Sequence, residues 1–225
     1  GTAVILEHFD PEGALAAIER YHVTHAQFVP TMFVRMLKLP PTIRDRYDIS
    51  SLQVAVHAAA PCPVEIKRQM IEWWGPILFE YYSATEAMGS TMITSEEWLA
   101  HPGSVGRPFL TTVHIPDDDG QECAVGDPGV VWFEPSARTM QFEYHKDPGK
   151  TASVHDERGW GTVGDIGHLD EEGYLYLTDR RDFMIVSGGV NIYPQEAENL
   201  LVTHPKVMDA AVFGIPNDEF GEEVK

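Results

Sequence analysis

The chain has 225 residues, with 35 acidic side chains against 16 Lys and Arg, so its formal net charge is −19. This charge argues against a nucleic-acid partner, because phosphate backbones bind to basic protein surfaces. Hydrophobic residues make up 43% of the chain and charged residues 23%, which is ordinary globular usage and predicts a folded protein.

The first third of the chain alternates between helix and strand signals. A helix is predicted from Pro11 to Tyr21, because Asp10 can cap it, Pro11 suits its first position and Glu12 lies in its first turn. The patterns that follow predict a strand over 26–30, a helix over 31–37, a strand over 52–58, a helix over 63–74 and a strand over 77–83. Such alternation indicates a parallel sheet covered on both faces.

After about Pro108 the pattern changes to short alternating runs separated by Gly and Asp clusters. Strands are predicted over 112–115 and 130–134, and a hairpin is predicted to join 165–169 to 174–177 through an acidic turn. From Pro194 a helix over about 194–201 and a strand over 210–214 indicate the start of a small α+β unit.

The cysteines and the apolar runs bear on the compartment. Cys62 and Cys123 lie far apart and have neither a CxxC spacing nor a His pattern, so no disulfide framework or zinc site is predicted. No stretch approaches the roughly 18 apolar residues that span a bilayer, and no secretory signal is recognisable. We therefore expect a cytoplasmic protein without a transmembrane segment.

Thr85 and Glu86 directly follow the strand predicted over 77–83. Open α/β sheets bind ligands at the edge where their strands end. A Thr hydroxyl there can donate to a phosphate oxygen, and a Glu can hold Mg²⁺ that bridges phosphates. On spacing alone, a pair that merely caps the following helix is the favoured interpretation.

Three further features can carry chemistry. Asp165 lies among glycines in the run 161–167 and can accept from two vicinal hydroxyls, as a ribose requires, or it can belong to an ordinary turn. Arg180 follows a predicted strand and can fork onto phosphate or ribose oxygens, or form a solvated ion-pair cluster with its neighbours. Gly188 and Gly189 can admit an extended ligand chain or simply form a turn.

Taken in order, these segments resemble the adenylate-forming superfamily of acyl-CoA synthetases, adenylation domains and luciferases, and the resemblance covers essentially all 225 residues. Residues 82–86 are similar to the family's Tyr-Gly-x-Thr-Glu segment, with Ser83 in place of Gly. Residues 103–108 match its Gly-Ser-x-Gly-x-Pro element, and 161–165 its Thr-Gly-Asp element, with Val163 in place of Thr. Residues 58–61 are similar to its Gly-Gly-Ala-Pro loop, and 173–194 match its hinge region.

The resemblance implies a role for each matching position. It implies catalysis by Thr85 and Glu86, with Glu86 also holding Mg²⁺; nucleotide binding by Ala59, Ala60, Tyr82, Asp165 and Arg180; a hinge at Asp182; and CoA binding by Gly188 and Gly189. Tyr82 is expected to stack on adenine and Asp165 to grip the ribose hydroxyls.

The implied reaction has two steps. A carboxylic acid, expected to be a fatty acid, attacks the α-phosphate of ATP to form an acyl-adenylate, and the thiol of CoA then displaces AMP. The implied organisation is the second half of an α/β adenylation subdomain over 1–107, a β-barrel-like subdomain over 108–179, and a hinge with the start of a truncated C-terminal domain over 180–225.

Two parts of that family are not found in this chain. No Ser/Thr/Gly-rich phosphate loop ending in Lys lies upstream, and nothing after Lys225 supplies the family's C-terminal lysine. We therefore expect a fragment, cut at both ends, that is inactive alone and prone to self-association through uncovered apolar surface. Two alternatives remain open: an acyl-AMP ligase that serves a carrier protein, and a non-catalytic nucleotide-binding module.

Overall fold

The computed structural model describes residues 1–117, 119–136 and 142–225. Within these residues the helices are α1 (Pro11–Tyr21), α2 (Pro30–Leu37), α3 (Pro41–Arg44), α4 (Val64–Trp74), α5 (Ser95–Ala100), α6 (Pro148–Ser153) and α7 (Pro194–Leu201), with a 3-10 turn over Arg181–Phe183. None of them is both long enough and apolar enough to cross a membrane.

The strands of the same residues form four sheets. They are β1 (His25–Phe28), β2 (Val54–His57), β3 (Leu78–Ser83), β4 (Ser90–Thr94), β5 (Arg107–Pro108), β6 (Thr112–His114), β7 (Gly129–Val130), β8 (Trp132–Glu134), β9 (Asp165–Leu169), β10 (Leu175–Arg180), β11 (Ile185–Ser187), β12 (Val190–Ile192), β13 (Gly214–Asn217) and β14 (Gly221–Val224).

Helix α1 has the bounds that its capping residues predict. The Asp10 carboxylate accepts a hydrogen bond from the Gly13 backbone N–H at 2.6 Å, and His22 ends the helix in the left-handed region with φ 49°. Capping of this kind satisfies N–H groups that the first turn leaves without partners. Among the described residues, the apolar face of α1 buries Leu15 and Ile18 in the first of two apolar cores, which also contains Phe28 and Leu78.

The first sheet has the order β1-β2-β3-β4-β5. Strands β1, β2 and β3 are parallel, as the alternating pattern predicts, whereas β4 is antiparallel to β3 and β5 is antiparallel to β4. The prediction of a parallel sheet is therefore confirmed for β1, β2 and β3, and two antiparallel strands that were not predicted extend it. Only residues 84–89 separate β3 from β4, and this link is too short for the crossover that a parallel pair requires.

The second region joins a three-stranded antiparallel sheet, β10-β9-β7, to the two-stranded pair β6-β8. The predicted hairpin is confirmed as β9 and β10, with a register shift between Leu177 and Asp179. A β-barrel-like subdomain was predicted over 108–179. Within the described residues these strands close no barrel, and they form two small sheets instead.

The third region, over 181–225, contains a four-stranded sheet of order β12-β11-β14-β13 and helix α7. The helix predicted from Pro194 is confirmed. The strand predicted over 210–214 instead begins at Gly214, which pairs with Val224 of β14; residues 210–212 have no described strand opposite them.

Strand β10 also connects the second region to the first region, residues 1–107. The Val105 backbone N–H donates to the Leu175 carbonyl at 2.9 Å, and the Leu175 N–H donates to the Gly106 carbonyl at 2.9 Å. Gly106 has φ 98°, and a Cβ there would lie 2.0 Å from the Met92 carbonyl oxygen. Glycine is therefore required at this position of the 103–108 element.

Candidate functional site

A four-residue turn presents Thr85 and Glu86 between β3 and β4. The Ala87 N–H donates to the Ala84 carbonyl at 2.9 Å, and the Ser83 hydroxyl donates to the Gly89 carbonyl at 2.9 Å. Thr85 is exposed and Glu86 is half-buried. A strand follows this turn rather than a helix, so the helix-cap interpretation of the pair is wrong.

Met88 anchors this turn in the second core. Its side chain is buried with Val113, Phe133 and Leu175. A Cβ added at Gly161 would lie 2.7 Å from Met88 Sδ, so that position must stay small for Met88 to pack. The turn is thus fixed in place by apolar packing immediately after its polar residues.

Asp165 is the first residue of β9, and its carboxylate is nearly buried. The Tyr82 hydroxyl donates to Asp165 Oδ2 at 2.6 Å, and Arg180 Nε donates to Asp165 Oδ1 at 3.2 Å. Three residues from separate parts of the sequence therefore meet at one carboxylate. Asp165 begins a strand, so the ordinary-turn interpretation does not describe it.

The charge state of this cluster follows from burial and from its neighbours. Burial, reinforced by the negative charge of Asp165, raises the pKa of Tyr82 well above its usual value, so the phenol stays protonated and donates. A carboxylate has about four acceptor positions, of which Tyr82 and Arg180 use two. Two positions remain, and that is the number that a vicinal diol needs.

Tyr144 reaches the other carboxylate of the site. Its hydroxyl donates to Glu86 Oε1 at 2.8 Å. Partial burial and this hydrogen bond raise the pKa of Tyr144. Sequence reasoning missed this residue, because nothing in the local pattern around Tyr144 refers to a position 58 residues earlier.

The donor set at Glu86 fits a magnesium ion that also binds phosphates. Mg²⁺ commonly uses one or two protein carboxylates and completes its shell with phosphate oxygens and water. Among the residues outside 118 and 137–141, no group of three or more His, Cys, Asp or Glu forms a metal cage. Glu86 therefore suits a metal that arrives with a nucleotide better than a metal enclosed by protein ligands alone.

Ala59 and Ala60 lie in the exposed loop directly after β2. Because β2 and β3 are parallel neighbours, this loop and the turn carrying Thr85 emerge at the same edge of the sheet. Ala59 has φ 77°, a left-handed conformation that costs a residue with a Cβ about 1 kcal/mol. Backbone strain of this kind is frequent at ligand sites.

The remaining predicted site residues lie in the third region. Asp182 is exposed in the 3-10 turn, with Oδ1 3.8 Å from Arg181 Nε. Gly188 and Gly189 form the two-residue loop between β11 and β12, with φ 57° and 82°. Positive φ at both positions is typical of the mirror-image turns that close hairpins, so glycine suits both positions of this turn.

A buried ion pair joins β3 to helix α4. Lys67 of α4 donates to Glu80 of β3 at 2.5 Å, and His57 Nε2 lies 3.7 Å from the same carboxylate oxygen. Burial lowers the pKa of Lys67 and raises that of Glu80, while their mutual attraction opposes both changes. Sequence reasoning did not find this pair, since Lys67 resembles a surface residue of an amphipathic helix.

The fold and this site together define an α/β protein with two carboxylates, Glu86 and Asp165, each bonded to a phenol, near the edge where parallel strands end, which is where open α/β sheets bind ligands. A profile described as "AMP-binding enzyme" matches residues 1–140, which is more than half of the chain. The chain belongs to this family, the adenylate-forming superfamily that its motifs resemble.

Known proteins similar to this chain share that family. A long-chain-fatty-acid–CoA ligase of Bacillus subtilis is 32% identical over 224 residues, covering 99% of this chain and 39% of the ligase. An amide bond synthetase from Marinactinospora thermotolerans is 35% identical with a TM-score of 0.82, covering 97% of this chain and 45% of the synthetase.

A third similar protein was solved with nucleotide and metal. The o-succinylbenzoate coenzyme A synthetase of Bacillus subtilis, in complex with ATP and a magnesium ion, is 29% identical with a TM-score of 0.79. The match covers 96% of this chain and 43% of the synthetase. This chain thus spans about two fifths of the length of the relatives it matches.

Proposed function

We propose that this chain is the nucleotide-binding part of an AMP-forming acid–thiol ligase that converts a carboxylic acid, a fatty acid by preference, to its CoA thioester. Membership of the AMP-binding enzyme family supports the adenylate-forming step, and the similarity to a long-chain-fatty-acid–CoA ligase supports the acid and the thiol. Cytosol is the proposed compartment, because the reaction consumes ATP and CoA.

The observation that carries the proposal is the meeting of Tyr82 and Arg180 on Asp165. We assign Asp165 to the two ribose hydroxyls, because its carboxylate is held at both oxygens and still has free acceptor positions. Arg180 is half-exposed on its other side and can turn its remaining N–H groups to ribose or phosphate oxygens. Tyr82 is assigned to the adenine face.

In the proposed first step the substrate carboxylate itself attacks the α-phosphate, and pyrophosphate leaves. The protein's contribution is therefore mainly to position the two reactants. Thr85 would donate its hydroxyl to a phosphate oxygen from the exposed turn, and Ala59 and Ala60 would contact the nucleotide through the loop after β2. Glu86 would hold Mg²⁺, which neutralises phosphate charge when bound. The second step replaces AMP by a thiol, and we assign Gly188 and Gly189 to its approach, with Asp182 as the hinge.

The second step requires a molecule that accepts the acyl group from the adenylate. Similarity to an amide bond synthetase at 35% identity favours an amine as a second candidate beside CoA. A parallel assay of the complete enzyme with CoA, with a loaded carrier protein and with an amine would separate these acceptors. The product expected here is the CoA thioester.

Calorimetric titration of the chain with AMP tests the nucleotide site. Asp165→Ala removes the acceptor of both ribose hydroxyls, and hydrogen bonds to a charged group are worth about 1.5–3 kcal/mol each, so AMP affinity should fall at least about tenfold. Asp156→Ala is a matched control, because Asp156 also pairs with an arginine, Arg158, at 2.6 Å.

The control should keep AMP affinity within about twofold, since Asp156 bonds to Arg158 and Trp160 and, among the described residues, shares no hydrogen bond with Tyr82, Asp165 or Arg180. Equal affinity of the wild type and Asp165→Ala would contradict the ribose assignment. A folded wild-type chain that binds no AMP would contradict the proposal that this part of the enzyme forms the nucleotide site.

A further inference from the structure

Glu86 sits on a tight turn, where its long side chain needs a partner to occupy one position. Fixing a long Glu side chain costs rotamer freedom, so an unsupported carboxylate would sample several positions. Within the described residues, the Tyr144 hydroxyl is the hydrogen-bond donor to Glu86, and it contacts Oε1 alone. Oε2 is left for another ligand.

Tyr144 is itself fixed by its own segment. Its backbone N–H donates to Thr151 Oγ1 at 2.9 Å, and that hydroxyl donates to the Asp147 carbonyl at 2.9 Å. The Phe142 ring packs edge-on against the Tyr144 ring at 5.3 Å, and the Lys150 ammonium lies 4.2 Å from the ring centroid. The phenol therefore has a defined position from which to hold a flexible partner.

We propose that Tyr144 is a positioning residue, which orients the Glu86 carboxylate so that Oε2 is presented to the metal that accompanies the ATP phosphates. This inference rests on the proposed function. Groups that hydrogen-bond a metal-binding carboxylate fix its direction, and their loss commonly weakens metal binding without removing a metal ligand. The hydroxyl of Tyr144 has this relation to Glu86, and in the proposed role it acts through Glu86 and contacts neither substrate nor metal.

A merely structural role makes a different prediction. If the Tyr144 hydroxyl only fastened residues 142–153 to the turn, its removal would lower thermal stability and leave the metal dependence of nucleotide binding intact. The distinguishing quantity is therefore the magnesium enhancement of ATP affinity, defined as the ratio of the ATP dissociation constant in EDTA to that in excess Mg²⁺.

The experiment measures this enhancement by calorimetry on the whole 225-residue chain, together with AMP affinity in EDTA. Tyr144→Phe keeps the ring between Phe142 and Lys150 and removes only the hydroxyl. Its enhancement should fall roughly tenfold or more, the effect of losing one hydrogen bond to a charged group. AMP affinity should stay within about twofold, because AMP in EDTA does not use the metal. Glu86→Gln should abolish the enhancement.

Two more variants keep the test secure. Tyr21→Phe is the control, because Tyr21 is exposed and lies on α1, away from this turn, and it should leave both quantities unchanged. Glu86→Asp keeps the charge but withdraws the carboxylate from Tyr144, so it should lower the enhancement as Tyr144→Phe does. This variant leaves the 142–153 segment intact and so remains informative if Tyr144→Phe folds poorly.

Each outcome decides one question. Full enhancement in Tyr144→Phe or in Glu86→Asp, with the wild type responding to Mg²⁺, would overturn the positioning role and leave the proposed function standing. Full enhancement in Glu86→Gln would overturn it as well, because Glu86 would then not be the metal carboxylate. Failure of the wild type to bind AMP or ATP would overturn the proposed function and the positioning role together.

Discussion

The first and third regions of this protein are built in opposite ways. In the first, helices α1, α2 and α4 cover the parallel strands, and side chains such as Leu15, Phe33 and Met70 have no exposed surface. In the third, which is described throughout from 181 to 225, Ile185 and Pro194 are the buried apolar residues. Leu200, Met208 and Phe213 are exposed there.

Polar contacts hold the third region to the rest. The Lys38 ammonium, just after α2, donates to the carbonyl oxygens of Val202 and Val207, and the Gln195 N–H donates to Asp179 Oδ2 at 3.1 Å. Regions with few buried apolar contacts open locally at lower free energy than the global unfolding. The comparison indicates a tightly packed first region next to a third region that should open locally at a lower free energy.

Removing Glu80 should have the largest effect. Glu80→Ala leaves Lys67 buried without a counter-charge, and loss of one partner of a buried pair costs about 3–5 kcal/mol. The free energy of unfolding, from urea denaturation followed by circular dichroism, should fall by that amount. Glu72→Ala, an exposed carboxylate on α4, is the control. A loss below about 1 kcal/mol would show that the Lys67–Glu80 pair contributes little to the stability of the first region.

Truncating Ile185 should have a smaller and local effect. Ile185→Ala removes the main buried apolar side chain of the third region, and such truncations cost about 2–5 kcal/mol, here at the lower end because the core is small. Hydrogen exchange should accelerate at β13 and β14 and stay unchanged at β2 and β3. Val186→Ala, at a half-exposed neighbour, is the control. Faster exchange in the first sheet would mean that the two regions unfold together.

Changing an exposed apolar residue should have the smallest effect. Leu200 is 73% exposed, so Leu200→Ser should change the free energy of unfolding by less than about 0.5 kcal/mol. Sedimentation velocity on the same variant tests whether this surface causes the expected self-association, which should weaken. Destabilisation of the monomer by more than about 1 kcal/mol would show that Leu200 is covered in solution.

Local signals in the sequence predicted the regular parts of the fold. Helix α1 follows from Asp10 and Pro11, and the β9–β10 hairpin follows from alternation around an acidic turn. Helix α5 was missed, although its capping box of Thr94 and Glu97 is visible in the sequence, because so short a helix has little apolar periodicity. Strand β4 was missed with it.

The site was predictable as a set of residues and not as a set of contacts. Ordered motifs identified Tyr82, Asp165 and Arg180, and the structure brings these three together. The Tyr144–Glu86 and Lys67–Glu80 contacts join elements whose approach is decided by packing, so no spacing rule reveals them. The left-handed Ala59 was hidden for a related reason, since alanine carries no signal for positive φ.

Strand β10 is hydrogen-bonded to other parts of the molecule at both of its ends. At its start, Leu175 is bonded to the 105–106 segment of the first region, and at its end Arg180 is bonded to Asp165. The Arg181 N–H also donates to the Gly164 carbonyl at 2.8 Å, so any rotation of the residues that follow would have to take place in the backbone after Arg181. A rotation of the third region about that backbone would leave the Asp165 carboxylate in place.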